Sequence, residues 1–309
     1  MIEAFPLHVA IPGRPSPKGR YCSADARARD GAQARLCGKM CLTAFLVPDY
    51  ISGCLAPRDA KRLPPIALAV VDVSFIVPAY NEERLLGNTL RAIAQASSGV
   101  TGAIEIIVAD DASTDGTTAI AQAHGAHVVS VNCRHIAAAR NAGARQARGQ
   151  WLVFVDADTI VTEEVVGAAI EALRGGAVGG GCDVRFEGRL PLYGRVLIAL
   201  ILPVYRALRL AAGCFLFCTH ADFDTVGGFD ETLFAAEEAV LSRALRRQGR
   251  FVLLREHVVT SGRKLRAHSG REILGGLLRL AVGGRKAFRR RDGLDIWYGE
   301  RRRDPGLDP

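Results

Sequence analysis

The sequence has no apolar run long enough to cross a membrane as a helix. Such a helix needs about 20 predominantly apolar residues, whereas the best candidate, Val196 to Tyr205, has ten residues and contains Pro203. The first residues also lack the basic start, the sustained apolar stretch and the small-residue cleavage site of a secretion signal. We therefore expect a cytoplasmic protein without a transmembrane helix.

Two nucleotide-binding fingerprints are also missing. No GxGxxG follows the first predicted strand and no GxxxxGK[ST] occurs anywhere, which argues against a dinucleotide-binding domain and a P-loop. The eight cysteines contain no CxxC pair, so their spacing indicates no regular zinc site and we expect unpaired thiols. Hydrophobic residues nevertheless make up 49% of the 309 residues, which is the usual proportion for a globular protein.

Charge is distributed unevenly along the chain. Residues 243–309 contain 18 lysines and arginines against 7 acidic residues, whereas residues 63–242 contain 12 against 20. A basic end suits an anionic partner such as a phospholipid surface, nucleic acid or a sugar phosphate, and an acidic middle suits a metal site.

Residues 1–65 show no sustained periodicity and contain several prolines, so we predict a poorly ordered N-terminal extension there.

From Val73 onward, short apolar runs alternate with stretches of helical composition. The predicted strands are 73–77, 104–109, 127–131 and 151–155, and the predicted helices between them are 82–95, 117–124 and 136–148. This alternation indicates an α/β fold with a mostly parallel central sheet flanked by helices. In such sheets, ligands bind at the carboxyl ends of the strands.

Two aspartates follow the fourth predicted strand in the segment DADT (156–159). In an extended segment, Asp156 and Asp158 face one point while Ala157 faces away. Two hard oxygen donors at one point suit magnesium or manganese. The alternative is that one aspartate caps the helix predicted to begin near Thr162 while the other is solvated.

Polar residues also follow the first two predicted strands, in PAYNEE (78–83) and DDASTDGT (110–117). A carboxylate at a strand end can accept a hydrogen bond from a ribose hydroxyl or a base N–H, so Asp110 or Asp111 is a candidate for binding a nucleoside. Pro78 and Tyr80 would then form a wall for the base, although an ordinary turn explains these two almost as well.

Glu237 and Glu238 lie near the start of another predicted helix. The helix dipole favours acidic residues there, which is the structural explanation of the pair. The functional alternative is that one of them is a general base, which takes the proton from an acceptor hydroxyl. The sequence pattern alone leaves both explanations open.

Together, four segments resemble the glycosyltransferase family 2 enzymes, which have a GT-A fold. VSFIVPAYNEE resembles the opening strand of that family, EIIVADDASTDGT its nucleotide-binding segment, ARNAGARQARGQWLVFVDADT the approach to its DXD motif, and GGFDETLFAAEEAVLSRALRRQG its acceptor-side segment. The resemblance covers about Val73 to Phe251. We therefore predict a family 2 catalytic domain at 66–255, followed by a basic, helical C-terminal tail at 256–309.

The resemblance implies roles for individual residues. The residues that would bind the nucleotide-sugar donor are Pro78, Tyr80, Glu82, Asp110, Asp111, Arg140 and Asp156. Asp156 and Asp158 would hold a divalent metal, manganese or magnesium, on the diphosphate of the donor. The acceptor-side motif of the family is commonly Glu-Asp with the second residue as the base, so Glu238 would be the catalytic base here.

The implied reaction is a direct displacement with inversion at the anomeric carbon. The sugar of a nucleotide-diphosphate sugar would be transferred to an acceptor hydroxyl, without a covalent enzyme intermediate. The chain has no QxxRW after the acceptor-side helix and no apolar run of membrane-spanning length, both of which accompany processive synthases of this family. Transfer of a single sugar is therefore expected rather than polymerisation.

The apolar stretch 188–213 and the basic tail leave several partners open. Burial of the stretch against the sheet is the simplest explanation. An interfacial surface is the alternative, which would give peripheral contact with the inner face of a membrane and access to a lipid-linked acceptor.

Two other functions are open as well. The protein could be a catalytically inactive relative of the family. A nucleic-acid-binding protein that uses the tail is another, but it leaves the acidic residues unexplained, so we expect no nucleic acid partner.

Overall fold

A computed structural model describes residues 71–299, 302 and 304, so the predicted extension at 1–65 lies outside the described residues. The strands of this part are β1 Val71–Ala79, β2 Ala103–Asp111, β3 His127–Val131, β4 Trp151–Val155, β5 Thr159–Ile160, β6 Gly179–Phe186, β7 Phe215–Thr219 and β8 Phe251–Thr260. The helices are α1 Leu86–Ala96, α2 Thr117–Ala123, α3 Ile136–Gln146, α4 Glu163–Arg174, α5 Leu192–Ala207, α6 His220–Val226, α7 Glu237–Gln248, α8 Arg263–Ala267, α9 Gly270–Ala287 and α10 Asp295–Tyr298.

The described strands form one sheet in the order β3-β2-β1-β4-β7-β6-β8-β5. The strands β3, β2, β1 and β4 are parallel, and β6 is parallel to β8. Only β7 and β5 run against their neighbours. Helices α1, α2 and α3 make the crossovers that parallel neighbours require. The predicted α/β fold with a mostly parallel sheet is confirmed.

Close packing of helix α3 on the sheet positions the functional edge. Every residue of β1 except Asp72 is buried, which accounts for its continuous apolar sequence. A Cβ added to Gly143 would lie 2.5 Å from the side chain of Ile76 on β1, so only glycine allows α3 to approach this closely. Consequently, Arg140, one turn earlier on α3, lies against the sheet and is almost completely buried.

Helix α5 is not buried against the sheet, so the simplest expectation for this apolar stretch is wrong. Of its 16 residues, only Gly194 is buried. Apolar residues at four-residue spacing along the helix and at its C-cap are 48% to 74% exposed, and these are Leu192, Val196, Leu200, Val204 and Leu208. We call these five residues the α5 stripe. None of the helices in the described part of the chain is long and apolar enough to span a membrane.

The C-terminal region is helical in its described part, where it contains α8, α9 and α10. Strand β8 continues to Thr260 and pairs with β6 up to that residue, so the predicted domain boundary at 255 falls inside a strand of the sheet. The side chain of Arg266 on α8 forms an ion pair with Asp304 at 2.5 Å. The beginning of the tail is therefore joined to the sheet through β8.

The cysteines in the described part differ in their state. Cys182, Cys214 and Cys218 are free and buried. Burial raises the pKa of the Cys182 thiol to about 12, so it remains protonated at neutral pH. Cys133 is disulfide-bonded, which makes the expectation of unpaired thiols wrong for this residue.

Candidate active site

A buried arginine joins three segments at the carboxyl edge of the sheet. The Nη1 of Arg140 donates to Oε1 of Glu237 at 2.8 Å, and its Nη2 donates to Oδ1 of Asp156 at 2.8 Å and to the carbonyl of Gly213 at 2.8 Å. Burial alone lowers the pKa of a guanidinium, but the charges of Asp156 and Glu237 outweigh it and raise the pKa of Arg140. Arg140 is therefore a fixed cation between the DADT segment and the start of α7.

Glu238 lies beside this arginine but has a different partner. The hydroxyl of Tyr205 donates to Oε1 of Glu238 at 3.2 Å. Burial and the negative charge of Glu237 raise the pKa of Glu238 to about 8. A general base works best when its pKa is near the pH of the reaction. Because Glu237 is paired with Arg140, Glu238 is the member of the pair that is suited to proton transfer.

Gly213 leaves room between the arginine and the second glutamate. A Cβ added to this glycine would lie 3.2 Å from Nη2 of Arg140 and 3.8 Å from Cδ of Glu238. Its backbone carbonyl is also an acceptor for Arg140. The loop before β7 therefore forms one wall of the site, which the sequence did not predict because no local motif marks it.

The DADT segment is a turn rather than an extended stretch. The N–H of Thr159 donates to the carbonyl of Asp156 at 3.1 Å. The expectation that two extended aspartates face one point is therefore wrong in its backbone geometry. Each carboxylate contacts its own arginine instead: Asp156 pairs with Arg140 at 2.8 Å, and Oδ2 of Asp158 pairs with Arg263 at 3.0 Å.

Neither aspartate caps the following helix. The hydroxyl of Thr162 is the cap of α4, and it accepts from the N–H of Val165 at 3.4 Å. Ala157 is buried in the main core, as expected for the small residue between the aspartates. The structural alternative for the two aspartates is thus excluded, and their carboxylates are held near the carboxyl edge by arginines.

Arg263 is a site residue that the sequence did not reveal. It is the first residue of α8, and its Nη2 contacts both Oε1 of Glu82 and Oδ2 of Asp158. Burial lowers the pKa of Arg263, but Glu82 and Asp158 outweigh that effect and the pKa is raised. Because Arg263 and Glu82 are 181 residues apart and Arg263 lies in a strongly basic region, no local pattern indicated this contact.

The two aspartates at the end of β2 are buried and form hydrogen bonds within the protein. Oδ1 of Asp111 accepts from the N–H groups of Cys133 and Arg134 at 2.7 and 2.8 Å, and Oδ2 accepts from the N–H of His135 at 2.8 Å. Asp110 accepts from the N–H of Ser113 at 3.2 Å and from the hydroxyl of Thr118. Asp111 thus fixes the loop between β3 and α3.

The loops after β1 and β2 are joined at the same edge. Pro78 is buried within β1, whereas Tyr80 is partly exposed. The guanidinium carbon of Arg134 lies 3.2 Å from the ring centroid of Tyr80, which is a cation–π contact. Asn81 accepts from the N–H of Thr114 at 2.8 Å. The ring of Tyr80 and the charge of Arg134 are therefore held together at the nucleotide-binding edge that the sequence predicted.

The carboxylates at this edge fit a divalent metal only in part. In residues 71–299, no group of three or more His, Cys, Asp and Glu side chains could by itself hold a metal ion. Asp156 and Asp158 offer two hard carboxylates, and magnesium or manganese commonly takes its other ligands from water and substrate phosphates. The two carboxylates are therefore suitable ligands for such an ion, if the carboxylate of Asp158 binds it together with Arg263 or dissociates from Arg263.

Comparison with known proteins supports the interpretation of the fold and the motifs. Residues 74–223 match the family model "Glycosyl transferase family 2". The chain is 35% identical over 116 residues to the succinoglycan biosynthesis protein ExoO of Rhizobium meliloti, which covers 35% of this chain and 31% of that protein. It is 29% identical over 194 residues to validoxylamine A glucosyltransferase of Streptomyces hygroscopicus subsp. limoneus, covering 59% and 36%. The matched segments thus span about a third of each relative.

Solved structures share the architecture. A mannosyltransferase from Pyrobaculum calidifontis, in complex with GDP-Man and Mn2+, superposes with a TM-score of 0.54 at 21% identity, covering 74% of this chain and 68% of that chain. S. aureus TarS 1-349, in complex with UDP-GlcNAc, superposes with a TM-score of 0.50 at 20% identity, covering 62% and 59%. At these identities the likeness shows the fold. The family match and the fold together identify a glycosyltransferase family 2 domain with a GT-A fold in this chain.

Proposed function

We propose that this protein is an inverting glycosyltransferase that transfers one sugar from a nucleotide-diphosphate sugar to an acceptor hydroxyl with the help of a divalent metal. The observation that carries the proposal is the Arg140 cluster, in which one side chain contacts both Asp156 of the DXD motif and Glu237 of the acceptor-side helix. A transfer reaction requires donor and acceptor groups at one place. The validoxylamine A glucosyltransferase that matches this chain supports the reaction class.

In this proposal the nucleoside of the donor lies at the carboxyl ends of β1 and β2. The residues proposed to surround it are Pro78, Tyr80, Glu82, Asp110 and Asp111. Asp111 acts through the three backbone amides that it holds, since these fix Arg134 over the ring of Tyr80. Glu82 acts with Arg263, its partner across the site.

Asp156 and Asp158 would hold manganese or magnesium beside the diphosphate. When bound, the metal would neutralise the negative charge that develops on the leaving diphosphate. Arg140 holds the carboxylate of Asp156 in place, and Arg263 does the same for Asp158. The mannosyltransferase of the same fold that was solved with GDP-Man and Mn2+ supports a role for such a metal.

Glu238 is the proposed catalytic base. Its carboxylate takes the proton of the acceptor hydroxyl while the acceptor oxygen forms a bond to the anomeric carbon. The bond from that carbon to the diphosphate oxygen breaks at the same time, so attack from the opposite face inverts the configuration. The hydrogen bond from Tyr205 orients the carboxylate of Glu238, and the raised pKa makes its ionised form a stronger base than an ordinary glutamate.

A thermal-shift screen of nucleotide sugars with and without manganese tests the donor half of the proposal, because a ligand that binds the native state raises its unfolding temperature. The best donor is then used in turnover assays with Glu238→Gln and Asp158→Ala, and with Glu171→Gln as a control on the exposed face of α4. We expect large losses for the first two variants and none for the control. Full activity of Glu238→Gln would exclude its role as the base.

Binding without turnover would instead favour a catalytically inactive relative. Salt-sensitive binding to RNA or DNA, without any binding of a nucleotide sugar, would favour the nucleic-acid alternative. A donor that binds only in the presence of manganese would support the assignment of Asp156 and Asp158. Equal binding in manganese and in a chelator would remove the metal from the proposal.

We also propose that the protein contacts a membrane surface peripherally from the cytoplasmic side. The α5 stripe is exposed, and a second exposed series at four-residue spacing lies on α9 at Leu274, Leu278 and Val282. Exposed arginines accompany both helices, among them Arg195 on α5 and Arg279 on α9. An apolar helix face flanked by arginines is suited to the interface of a bilayer that contains anionic lipids.

Flotation with anionic liposomes at low and high salt tests this contact. We expect the protein to float with the vesicles at low salt, and Leu200→Asp in the middle of the α5 stripe to reduce the floating fraction. Glu171→Gln, which changes an exposed residue of α4 outside the α5 stripe, should float like the unmodified protein. Absence of lipid association at both salt concentrations would exclude the membrane proposal.

A further inference from the structure

A cavity of about 390 Å³ is lined by Tyr205, the residue that donates a hydrogen bond to the proposed base. It lies between the C-terminal half of α5 and the strands β6 and β8. Its polar lining comes from Asp183, Arg185, Tyr205, Arg206, Arg255 and His257. The volume is within the range of pockets that hold small ligands, about 300 to 1,000 Å³. The site described above does not use this cavity.

The cavity is directly connected to the catalytic cluster. Tyr205 lines the cavity and donates its hydroxyl hydrogen to Glu238. Ala212, which also lines it, precedes Gly213, whose carbonyl accepts from Arg140. A molecule in the cavity would therefore contact Tyr205, the residue whose hydroxyl holds the carboxylate of Glu238. An acceptor bound there would need to extend its hydroxyl past Tyr205 to reach the proposed base.

The polar lining of the cavity has an excess of positive charge. Asp183 is paired with Arg206 at 2.5 Å. Within the described residues, neither Arg185 nor Arg255 has a carboxylate at ion-pair distance, and both are exposed. An arginine offers five N–H donors in a planar arrangement that matches two oxygens of a phosphate. The two arginines are thus available to an anionic ligand.

We propose that this cavity is the acceptor subsite and that it binds an acceptor carrying a phosphate group, held by Arg185 and Arg255. Leu202, Leu210 and Leu253 would contact the apolar part of that acceptor. A soluble sugar phosphate and a lipid-linked phosphate share the recognised group. The inference deepens the proposed function and rests on it, because the acceptor hydroxyl must reach Glu238.

Titration calorimetry with inorganic phosphate at low salt tests the subsite without turnover. The variants are Arg185→Gln combined with Arg255→Gln, and Arg195→Gln as a matched control, since Arg195 is exposed on α5 and does not line the cavity. We expect phosphate binding to weaken at least tenfold in the double variant and to be unchanged in the control. Restoring charge with Arg185→Lys and Arg255→Lys should recover part of the affinity, and equal affinity in all variants would overturn the proposal.

Transfer assays with matched acceptors then separate the two sources of phosphate. Glycerol 3-phosphate is compared with glycerol, and a polyprenyl phosphate in detergent micelles with the corresponding alcohol. A preference for the phosphorylated member of either pair supports the subsite, and the pair that shows it identifies the source. Turnover without such a preference would overturn the subsite but not the transferase. Phosphate binding without binding of any nucleotide sugar, with or without manganese, would instead contradict the proposed function.

Discussion

Replacing Arg140 by methionine tests how much of the fold depends on one buried cation. The side chain of Arg140 is 2% exposed, and its partners Asp156 and Glu237 are 22% and 7% exposed. Methionine fills a similar volume but leaves two poorly solvated carboxylates without their counter-charge. Removing one partner of a buried ion pair typically costs about 3 to 5 kcal/mol.

That cost corresponds to a large shift in unfolding temperature. For a domain of about 150 to 250 residues, 1 kcal/mol lowers the midpoint by about 2 to 4 °C, so Arg140→Met should unfold about 6 to 20 °C below the unmodified protein. Arg140→Lys should lie between the two, because it keeps the charge but cannot reach three acceptors at once. Differential scanning calorimetry gives the three midpoints.

The same helix offers a matched control. Arg145 lies 3.8 Å from Glu231, and both side chains are about half exposed. Exposed pairs of this kind contribute about 0 to 1 kcal/mol, so Arg145→Met should shift the midpoint by only a few degrees. If Arg140→Met were no less stable than Arg145→Met, the argument that Arg140 compensates two buried carboxylates would be refuted.

Three further predictions concern the same edge of the sheet. The pKa of Glu238 in the folded state is about 8, which is above the ordinary value of 4.5. The protonated carboxyl therefore stabilises the folded state fully below pH 4.5, and this stabilisation is lost as the pH rises through 8. Glu238→Gln should therefore match the unmodified protein in thermal unfolding at pH 5 and exceed it at pH 8.5; parallel pH profiles would contradict this. Arg263→Ala should lower the unfolding temperature in chelator, with partial recovery in manganese. Arg148→Ala, which breaks an ion pair with the mostly buried Glu105 away from the proposed metal, should show no such recovery. Absence of recovery in Arg263→Ala would argue against Asp158 as a metal ligand. Asp111→Asn should lower the free energy of unfolding in urea by about 1 to 3 kcal/mol, because three amide donors lose a charged acceptor. If the exposed variant Asp224→Asn lost as much unfolding free energy, this role of Asp111 would be contradicted.

The first four strands could be predicted because each has a short, nearly continuous apolar sequence. A strand covered on both faces must be apolar at nearly every position, as β1 is. The remaining strands carry a weaker signal. Strand β6 begins with three glycines, and a Cβ at Gly180 would lie 2.2 Å from the carbonyl of Val252 on β8. These positions are glycine because the two strands approach closely, not because a side chain must be buried. The periodicity of apolar residues gives no indication of such a close approach.

The exposure of α5 could not be read from its composition. A helix that is apolar on most sides is normally buried or in contact with lipid, and sequence alone does not choose between these environments. The four-residue spacing of the α5 stripe shows which face is exposed only once the packing of the other face is known. The contacts of Arg263 with Glu82 and Asp158 were hidden for a similar reason, since they join segments that are distant in the chain.

The charge balance of the site explains why the DXD aspartates can be held apart by arginines and still suit a metal. Arg140 and Arg263 face the carboxylates of Asp156, Asp158, Glu82, Glu237 and Glu238. Two cations against five carboxyl groups leave an excess of negative charge, and part of it is removed because Glu238 stays protonated below a pKa of about 8. What remains is close to the charge that a divalent cation compensates. The arginines therefore set the positions of the carboxylates and still leave the negative charge that the proposed divalent metal would require.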